Sequence, residues 1–236
     1  EGADVAVVLL ESELSDSDDL LLIVQTLLRD GYAGVIFTGP PGTSKTWYAG
    51  QIAAKLTDGD PARVRFVQFH PSYQYEDFVE GFVPDEEGEG FELRPKHLLE
   101  MCDQAAQIGE DPCFLVIDEL SRSDPARVFG EALTYIESTK RGIAFRLASG
   151  TEVAIPANLF ILATMNEFDR GVDEVDAAFE RRFARIQMDP NPAYLDTILT
   201  RSGMPDQLRA RVRRSMPRPL HQRSAGRTAG TTDQRA

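Results

Sequence analysis

A glycine-rich stretch near the start of the chain has the residue types that a phosphate-binding loop requires. It lies between a short apolar run, 33–38, and an amphipathic run, 47–56, which predicts a strand, a loop and a helix. Glycines let the backbone turn and point its N–H groups inward, and a helix N-terminus favours an anion. The lysine is predicted to reach the outer phosphates, and the threonine after it to bind Mg²⁺. The stretch consists of Gly39, Pro40, Pro41, Gly42, Thr43, Ser44, Lys45 and Thr46.

One residue of this loop differs from the usual pattern. Ser44 stands directly before the lysine, where glycine is usual. Serine is small enough for the position, but the motif alone is then less specific. A glycine-rich turn that caps a helix is the alternative interpretation, and a second motif downstream weakens it.

The second motif is a pair of carboxylates at the end of an apolar run. Asp118 and Glu119 follow the run 113–117, so they are predicted at the carboxyl end of a strand, where parallel sheets bind ligands. Asp118 is predicted to hold Mg²⁺ together with Thr46, and Glu119 to act as general base on an attacking water. A strand that runs into an acidic turn is the alternative.

Three further polar residues are candidates for the same chemistry. Asn166 ends another apolar run and is predicted to hydrogen-bond the water or the γ-phosphate, with a turn asparagine as the alternative. Arg181 and Arg182 end a predicted helix. They either interact with the helix C-terminus or act as a finger that enters a neighbouring subunit's site.

The elements that must position these residues alternate between strand and helix. Strands are predicted at 33–38, 63–69, 113–117, 159–164 and 184–188, and helices at 17–29, 45–56, 75–80, 97–107, 125–138, 172–182 and within 192–213. Turn residues at 84–90 and 149–150 predict two hairpins. This alternation predicts an α/β fold with a mostly parallel sheet between helices.

Charge is distributed unevenly along the 236 residues. The net charge is −13, but residues 201–236 contain nine Arg and two Asp, which is +7, so residues 1–200 carry −20. An acidic body disfavours a general nucleic-acid binder. The segment 215–236 is predicted to be mostly disordered, with a basic arm for nucleic acid as the alternative. Two cysteines without metal spacing and no membrane-length apolar run indicate a cytoplasmic protein.

Together these stretches resemble the AAA+ NTPases and, more narrowly, the McrB family, the motor subunits of methylcytosine-dependent restriction systems. The resemblance rests on the loop 39–46, on the block VQFHPSYQYEDFVEGFVP at 67–84, and on MNEFDR at 165–170 with ERRF at 180–183. Two family patterns are matched residue by residue. Asn166, Asp169 and Arg170 match Met-Asn-x-x-Asp-Arg, and Asp118, Glu119 and Arg122 match Asp-Glu-x-x-Arg.

The resemblance implies an AAA+ P-loop NTPase core at 17–190, after a lead segment at 1–16 and before a partial helical lid at 191–214. It implies ATP or GTP with Mg²⁺, a ring that is a hexamer, and Arg181 or Arg182 acting in trans. It also implies an McrC-like nuclease partner, and DNA contacted only indirectly or through domains outside this chain. A nucleotide-dependent switch, or a chaperone-like remodeller without a nuclease, is the alternative. Two departures from the family pattern leave open whether the nucleotide base is adenine or guanine. They are Ser44, and Glu167-Phe168 in place of the family's Thr-Ala.

Three residues of the 67–84 block are distinctive but have no assigned chemistry. His70, Tyr73 and Tyr75 are predicted to pack between the second strand and the next helix, because aromatic residues are more often buried than functional. A pore or subunit-contact loop is the alternative.

Overall fold

A parallel sheet forms the centre of the chain. The computed structural model describes residues 11–85, 88, 90–166, 179, 181–190, 199 and 203–215. The described strands are β1 (Gly34–Thr38), β2 (Val64–Gln68), β3 (Glu80–Pro84), β4 (Phe91–Pro95), β5 (Cys113–Asp118), β6 (Phe145–Arg146), β7 (Glu152–Val153), β8 (Leu159–Met165) and β9 (Phe183–Gln187). Five of them pair in parallel in the order β2-β5-β8-β1-β9. The predicted α/β fold with a parallel sheet is therefore confirmed.

Helices connect and flank these strands, as parallel pairing requires. The described helices are α1 (Asp19–Arg29), α2 (Lys45–Leu56), α3 (Tyr75–Phe78), α4 (His97–Ile108), α5 (Pro125–Phe129), α6 (Ala132–Tyr135) and α7 (Asp206–Ser215). α2 has the predicted bounds. α1 begins two residues later than predicted because Asp18 is its N-cap, and the Asp18 carboxylate accepts hydrogen bonds from the N–H groups of Leu20 and Leu21.

The central strands are buried because their sequences are almost continuously apolar. All five residues of β1 are buried, and so are the first five of β5. A strand covered on both faces cannot alternate between apolar and polar residues, which explains the unbroken runs in the sequence. The polar residues of β5 and β8 are consequently confined to their carboxyl ends and to the residues that follow.

The predicted helix at 125–138 is wrong as a single helix. α5 ends at Phe129, Gly130 adopts φ 52°, and α6 begins at Ala132. A Cβ atom on residue 130 would lie 2.8 Å from the ring of Tyr75. Both the positive φ and the close ring therefore require glycine here. The ring that excludes a Cβ atom here comes from a residue far away in sequence, which a local helix pattern cannot reveal.

Two antiparallel hairpins accompany the parallel sheet, as predicted. β3 and β4 pair in antiparallel register around the acidic turn, and β6 pairs with β7 over two residues on each side. Phe82 on β3 and Phe91 on β4 are 71% and 74% exposed. The β3–β4 hairpin thus presents aromatic side chains to the surroundings.

The chain folds into two compact units, Glu1–Gln187 and Met188–Ala236. In the second unit, α7 lies in the region where the pattern at 192–213 predicts one or two helices. Most of the predicted helix 172–182, the residues Asp169 and Arg170, and the tail 216–236 lie outside the described residues. No helix in the described ranges is long and apolar enough to cross a membrane.

Candidate functional site

The glycine-rich loop connects the end of β1 to the start of α2. Gly42 adopts φ 81°, a left-handed conformation that glycine takes without steric cost. The Lys45 side chain is only 8% exposed, and its Nζ donates to the carbonyls of Gly39 at 2.9 Å and Pro40 at 2.8 Å. Thr43 Oγ1 also donates to the Pro40 carbonyl, at 2.9 Å. The loop is therefore wrapped around its own lysine, with Pro41 exposed on its outer side.

The structure explains why glycine is usual at the position of Ser44. Ser44 adopts φ 64° and ψ 22°, the left-handed region that costs most residues with a Cβ atom about 1–2 kcal/mol. Serine tolerates the conformation, and α2 begins at the next residue. The departure from the sequence pattern therefore leaves the strand–loop–helix geometry intact.

The first turn of α2 contacts the carboxyl end of β5. Thr46 Oγ1 donates to Asp118 Oδ1 at 2.7 Å, although β8 separates β1 from β5 in the sheet. The two sequence motifs, which lie far apart along the chain, therefore meet at one edge of the sheet. This contact brings together the two residues predicted to bind Mg²⁺.

Glu119 lies beside this pair in a strained backbone conformation. Its φ of 57° and ψ of 44° are left-handed, and such strain is concentrated at functional sites. Glu119 Oε2 accepts from Arg122 Nε at 3.2 Å and from Asn166 Nδ2 at 3.0 Å. Within the described part of the chain, no hydrogen bond reaches Glu119 Oε1, so this oxygen is available to a substrate or water.

Thr164 is a residue of this site that the sequence analysis did not identify. It lies on β8, two residues before Asn166, and its hydroxyl donates to Asp118 Oδ1 at 2.6 Å. The same hydroxyl oxygen accepts from the Glu119 N–H at 3.1 Å. The available signal was a lone threonine within an otherwise apolar strand, which by itself does not distinguish a site residue from a tolerated core residue.

The two arginines lie at the opposite end of the strands, just before the amino end of β9. Arg181 and Arg182 directly precede β9, and the Arg182 carbonyl accepts from the N–H of Ala33, just before β1. Strands of about five residues span roughly 15 Å at 3.3 Å per residue. The structure therefore does not bring these arginines together with Lys45 and Glu119 of the same chain.

The aromatic residues of the 67–84 block mainly pack. Tyr73 stacks on Phe69 with ring centroids 4.7 Å apart, and both Tyr73 and Tyr75 pack against the buried core. The Tyr75 hydroxyl donates to Glu80 Oε1 at 3.4 Å, and burial together with the nearby carboxylates of Glu131 and Glu80 raises its pKa. The packing prediction is confirmed for the two tyrosines, while the His70 ring is exposed at the edge of Tyr73.

The two protein oxygens of this site suit a magnesium ion that takes most of its ligands from water and phosphate. No group of three or more His, Cys, Asp or Glu in the described ranges could hold a metal by itself. Mg²⁺ commonly takes one or two protein oxygens and completes its shell with water and phosphate. The Thr46 hydroxyl and Asp118 are oxygen ligands of this kind, since Asp118 Oδ2 receives no hydrogen bond from the described residues.

Two known restriction-system proteins are similar to this chain in sequence. The "Type IV methyl-directed restriction enzyme EcoKMcrB subunit" of Escherichia coli is 35% identical over 181 residues, which are 72% of this chain and 39% of that protein. The "Type II restriction enzyme BsuMI component YdiS" of Bacillus subtilis is 27% identical over 198 residues, 67% of this chain and 58% of that protein. The chain thus spans between about two fifths and three fifths of these relatives. The resemblance to the McrB family is confirmed.

A solved structure from Cytophaga hutchinsonii superposes with a TM-score of 0.48 at 19% identity, over 77% of this chain and 50% of that one.

The family assignment rests on the core of the chain. Residues 34–183 match the AAA domain of the dynein-related subfamily. This range begins at β1 and ends at the first residue of β9, so it includes the phosphate loop and both carboxylates. The chain belongs to the dynein-related subfamily of AAA domains.

Proposed function

We propose that this chain is the Mg²⁺-dependent nucleoside-triphosphatase part of an McrB-like AAA+ ring motor in a restriction system. The observation that supports this most directly is the 2.7 Å hydrogen bond from Thr46 to Asp118. This bond joins the glycine-rich loop to a carboxylate that is chemically suited to a metal. Glu119, the next residue, supplies a base at the same edge. Nucleotide hydrolysis requires all three in one place.

Each residue of the site has a distinct role in this proposal. Lys45 and the loop N–H groups bind the outer phosphates, and Thr46 and Asp118 hold the metal. Bound Mg²⁺ would neutralise charge on the phosphate oxygens. Glu119 Oε1 accepts the proton of the attacking water. Asn166, which donates to Glu119 Oε2 at 3.0 Å, orients that carboxylate.

The position of the arginines supports a ring. Arg181 and Arg182 lie at the amino edge of the sheet, away from the site of their own chain. An arginine there serves catalysis only if it enters the site of a neighbouring copy, where it stabilises charge on the transferred phosphoryl group. We therefore propose a closed oligomer, a hexamer, in which one of the two arginines acts in trans.

The binding partners and the choice of nucleotide are also part of the proposal. The names of the two restriction-system relatives support assembly with other subunits, among them an McrC-like nuclease. DNA would be contacted indirectly or by other domains. Either ATP or GTP suits the loop, which binds phosphates. Residues 17–190 would form the nucleotide-binding core and 191–214 part of a lid.

Calorimetric titration with ATP and with GTP in the presence of Mg²⁺ tests the assignment. Lys45→Ala removes the buried cation of the loop and should abolish tight binding. Lys55→Ala is the matched control, because Lys55 lies on the same helix but pairs with Asp16 at 2.7 Å. Equal affinities of the wild type and Lys45→Ala would refute the site. Binding without turnover, alone or with an McrC-like partner, would favour the nucleotide-dependent switch.

A mixing experiment tests the ring. Glu119→Gln protein retains its arginines, and Arg181→Ala/Arg182→Ala protein retains its base. In mixed rings, some sites combine an intact Glu119 with an intact neighbouring arginine, so turnover should rise above that of either variant. If mixed rings form, as size measurements would show, and activity does not return, the arginines do not act in trans.

A further inference from the structure

Thr164 has a buried hydroxyl that the roles above do not require. It is 2% exposed and lies between Ala163 and Met165, which are each 1% exposed. Valine has nearly the same shape, and burial of a hydroxyl group is unfavourable unless it forms hydrogen bonds. The hydroxyl at this position therefore depends on the two hydrogen bonds that it forms.

The directions of these two bonds follow from their chemistry. A main-chain N–H can only donate, so the Glu119 N–H donates to Thr164 Oγ1 at 3.1 Å. A hydroxyl has one proton, and that proton is directed to Asp118 Oδ1 at 2.6 Å. One side chain on β8 is thus bonded to both acidic residues at the end of β5.

The bond to Asp118 determines which carboxylate oxygen remains for a ligand. Asp118 Oδ1 accepts from Thr164 on β8 and from Thr46 on α2, at 2.6 and 2.7 Å. Two donors from different elements prevent the carboxylate from rotating, and hydrogen bonds to a charged acceptor are the stronger ones. Oδ2 is the oxygen that no donor in the described residues reaches.

The bond to Glu119 stabilises an unfavourable backbone conformation. Left-handed φ and ψ are disfavoured for a residue with a Cβ atom, and Glu119 adopts them at 57° and 44°. The Thr164 oxygen accepts from the N–H of this residue. The side chain is then directed to where Asn166 and Arg122 donate to its Oε2.

We propose that Thr164 is a positioning residue that aligns the metal-binding carboxylate of Asp118 with the base Glu119. The inference rests on the proposed function. Thr164 acts through these two residues, whereas Thr46 is exposed and is itself a predicted metal ligand. Loss of a group that orients a metal ligand typically lowers metal affinity or activity by about 10- to 100-fold.

Thr164→Val tests this inference, because it removes the hydroxyl and keeps the shape. We expect kcat to fall by about 10- to 100-fold and the Mg²⁺ concentration that half-saturates nucleotide binding, measured by calorimetry, to rise. Thr164→Ser should restore both quantities. Thr57→Val is the matched control: Thr57 is fully buried, but its hydroxyl donates to the main-chain carbonyl of Ala53 at 2.8 Å. It should leave kcat and the Mg²⁺ dependence unchanged.

The outcomes separate the inference from the proposed function. If the wild type hydrolyses nucleotide and Thr164→Val matches it in kcat and Mg²⁺ dependence, the positioning role is overturned and the proposed function stands. If the wild type neither binds nor hydrolyses nucleotide, both are overturned. If circular dichroism shows that Thr164→Val does not fold, the Thr164→Ala and Thr57→Ala pair decides by the same two measurements.

Discussion

Polar side chains lie just before the amino end of β8 and at the carboxyl ends of β5 and β8, and they form different kinds of hydrogen bond at the two ends. At the amino end, Asn158 Nδ2 donates to the carbonyls of Ala105 and Asp111, both at 2.9 Å. At the carboxyl end, several bonds join side chain to side chain, as from Thr46 to Asp118 and from Asn166 to Glu119. At the amino end, the Asn158 side chain satisfies main-chain carbonyls and so stabilises the fold. At the carboxyl end, each carboxylate keeps one oxygen that no described donor reaches, and this oxygen can interact with a ligand.

Arg141 shows the same difference in a charged residue. Its guanidinium donates to the carbonyls of Ile136 at 2.6 Å, Pro156 at 3.0 Å and Leu159 at 2.6 Å, at the amino edge of the sheet. Burial lowers the pKa of Arg141 to about 10, and burial raises the pKa of the nearby Cys102 thiol to about 12. At neutral pH the arginine is therefore charged and the thiol protonated, so neither of these two groups is suited to exchange a proton with a ligand.

The largest expected effect is at the carboxyl edge. Glu119→Gln should lower turnover by about 10² to 10⁴ because an amide cannot accept the proton of water. Nucleotide affinity and unfolding free energy should change little, since glutamine keeps the shape. Steady-state hydrolysis and urea unfolding measure these quantities, with the exposed Glu152→Gln as control. Wild-type turnover in the Glu119→Gln variant would show that Glu119 is not the general base.

The next effect is at the amino edge and concerns stability. Arg141→Met should lower the unfolding free energy by about 3 kcal/mol, because main-chain carbonyls lose a charged donor. Arg146→Met is the control, since Arg146 is 77% exposed and surface substitutions change stability by about 0.5 kcal/mol or less. Urea unfolding compares the two. Lost turnover in folded Arg141→Met protein would contradict a purely structural role for Arg141.

An asparagine flanks β8 at each end, so the same substitution can be made at both ends. Asn158→Leu should lower the unfolding free energy by about 1–3 kcal/mol, because it leaves the Ala105 and Asp111 carbonyls without their donor. Asn166→Leu should change the unfolding free energy less and reduce turnover. Thermal unfolding and hydrolysis assays on both variants distinguish the edges. The comparison fails if the two asparagines prove interchangeable in both assays.

The smallest effect concerns strain in the phosphate loop. Ser44→Gly relieves about 1–2 kcal/mol of left-handed strain, while glycine adds about 0.5–1 kcal/mol of backbone entropy to the unfolded chain. A net stabilisation of about 0.5–1 kcal/mol is expected. Asp58→Gly, at φ 53°, is the matched variant away from the loop. Urea unfolding measures both, and a destabilised Ser44→Gly would show that the serine side chain itself stabilises the loop.

Much of the candidate site could be predicted because its motifs are local. Lys45 and Thr46 follow a strand and open a helix within a few residues, so their context is visible in the sequence. Asp118 and Glu119 follow an uninterrupted apolar run, which predicts their place at a strand end. The bounds of α2 were predicted correctly for the same reason.

Other features depend on residues that meet only in the folded chain. The helix predicted at 125–138 is interrupted at Gly130, where the ring of Tyr75 leaves no room for a Cβ atom. Arg141 gives no sign in the sequence that it stabilises the amino edge. Both depend on contacts between elements, which no local pattern contains.

The sequence by itself predicted which residues would bind phosphate and metal, because residue type and strand–loop–helix order are encoded locally. Only the tertiary structure decided how these residues lie relative to one another. The strand order β2-β5-β8-β1-β9 inserts β8 between the phosphate loop's strand and the carboxylates' strand. Thr164 on β8 therefore comes within 2.6 Å of Asp118. Arg181 and Arg182 precede the amino end of β9, so in a parallel sheet they lie at the opposite end of the strands from the site.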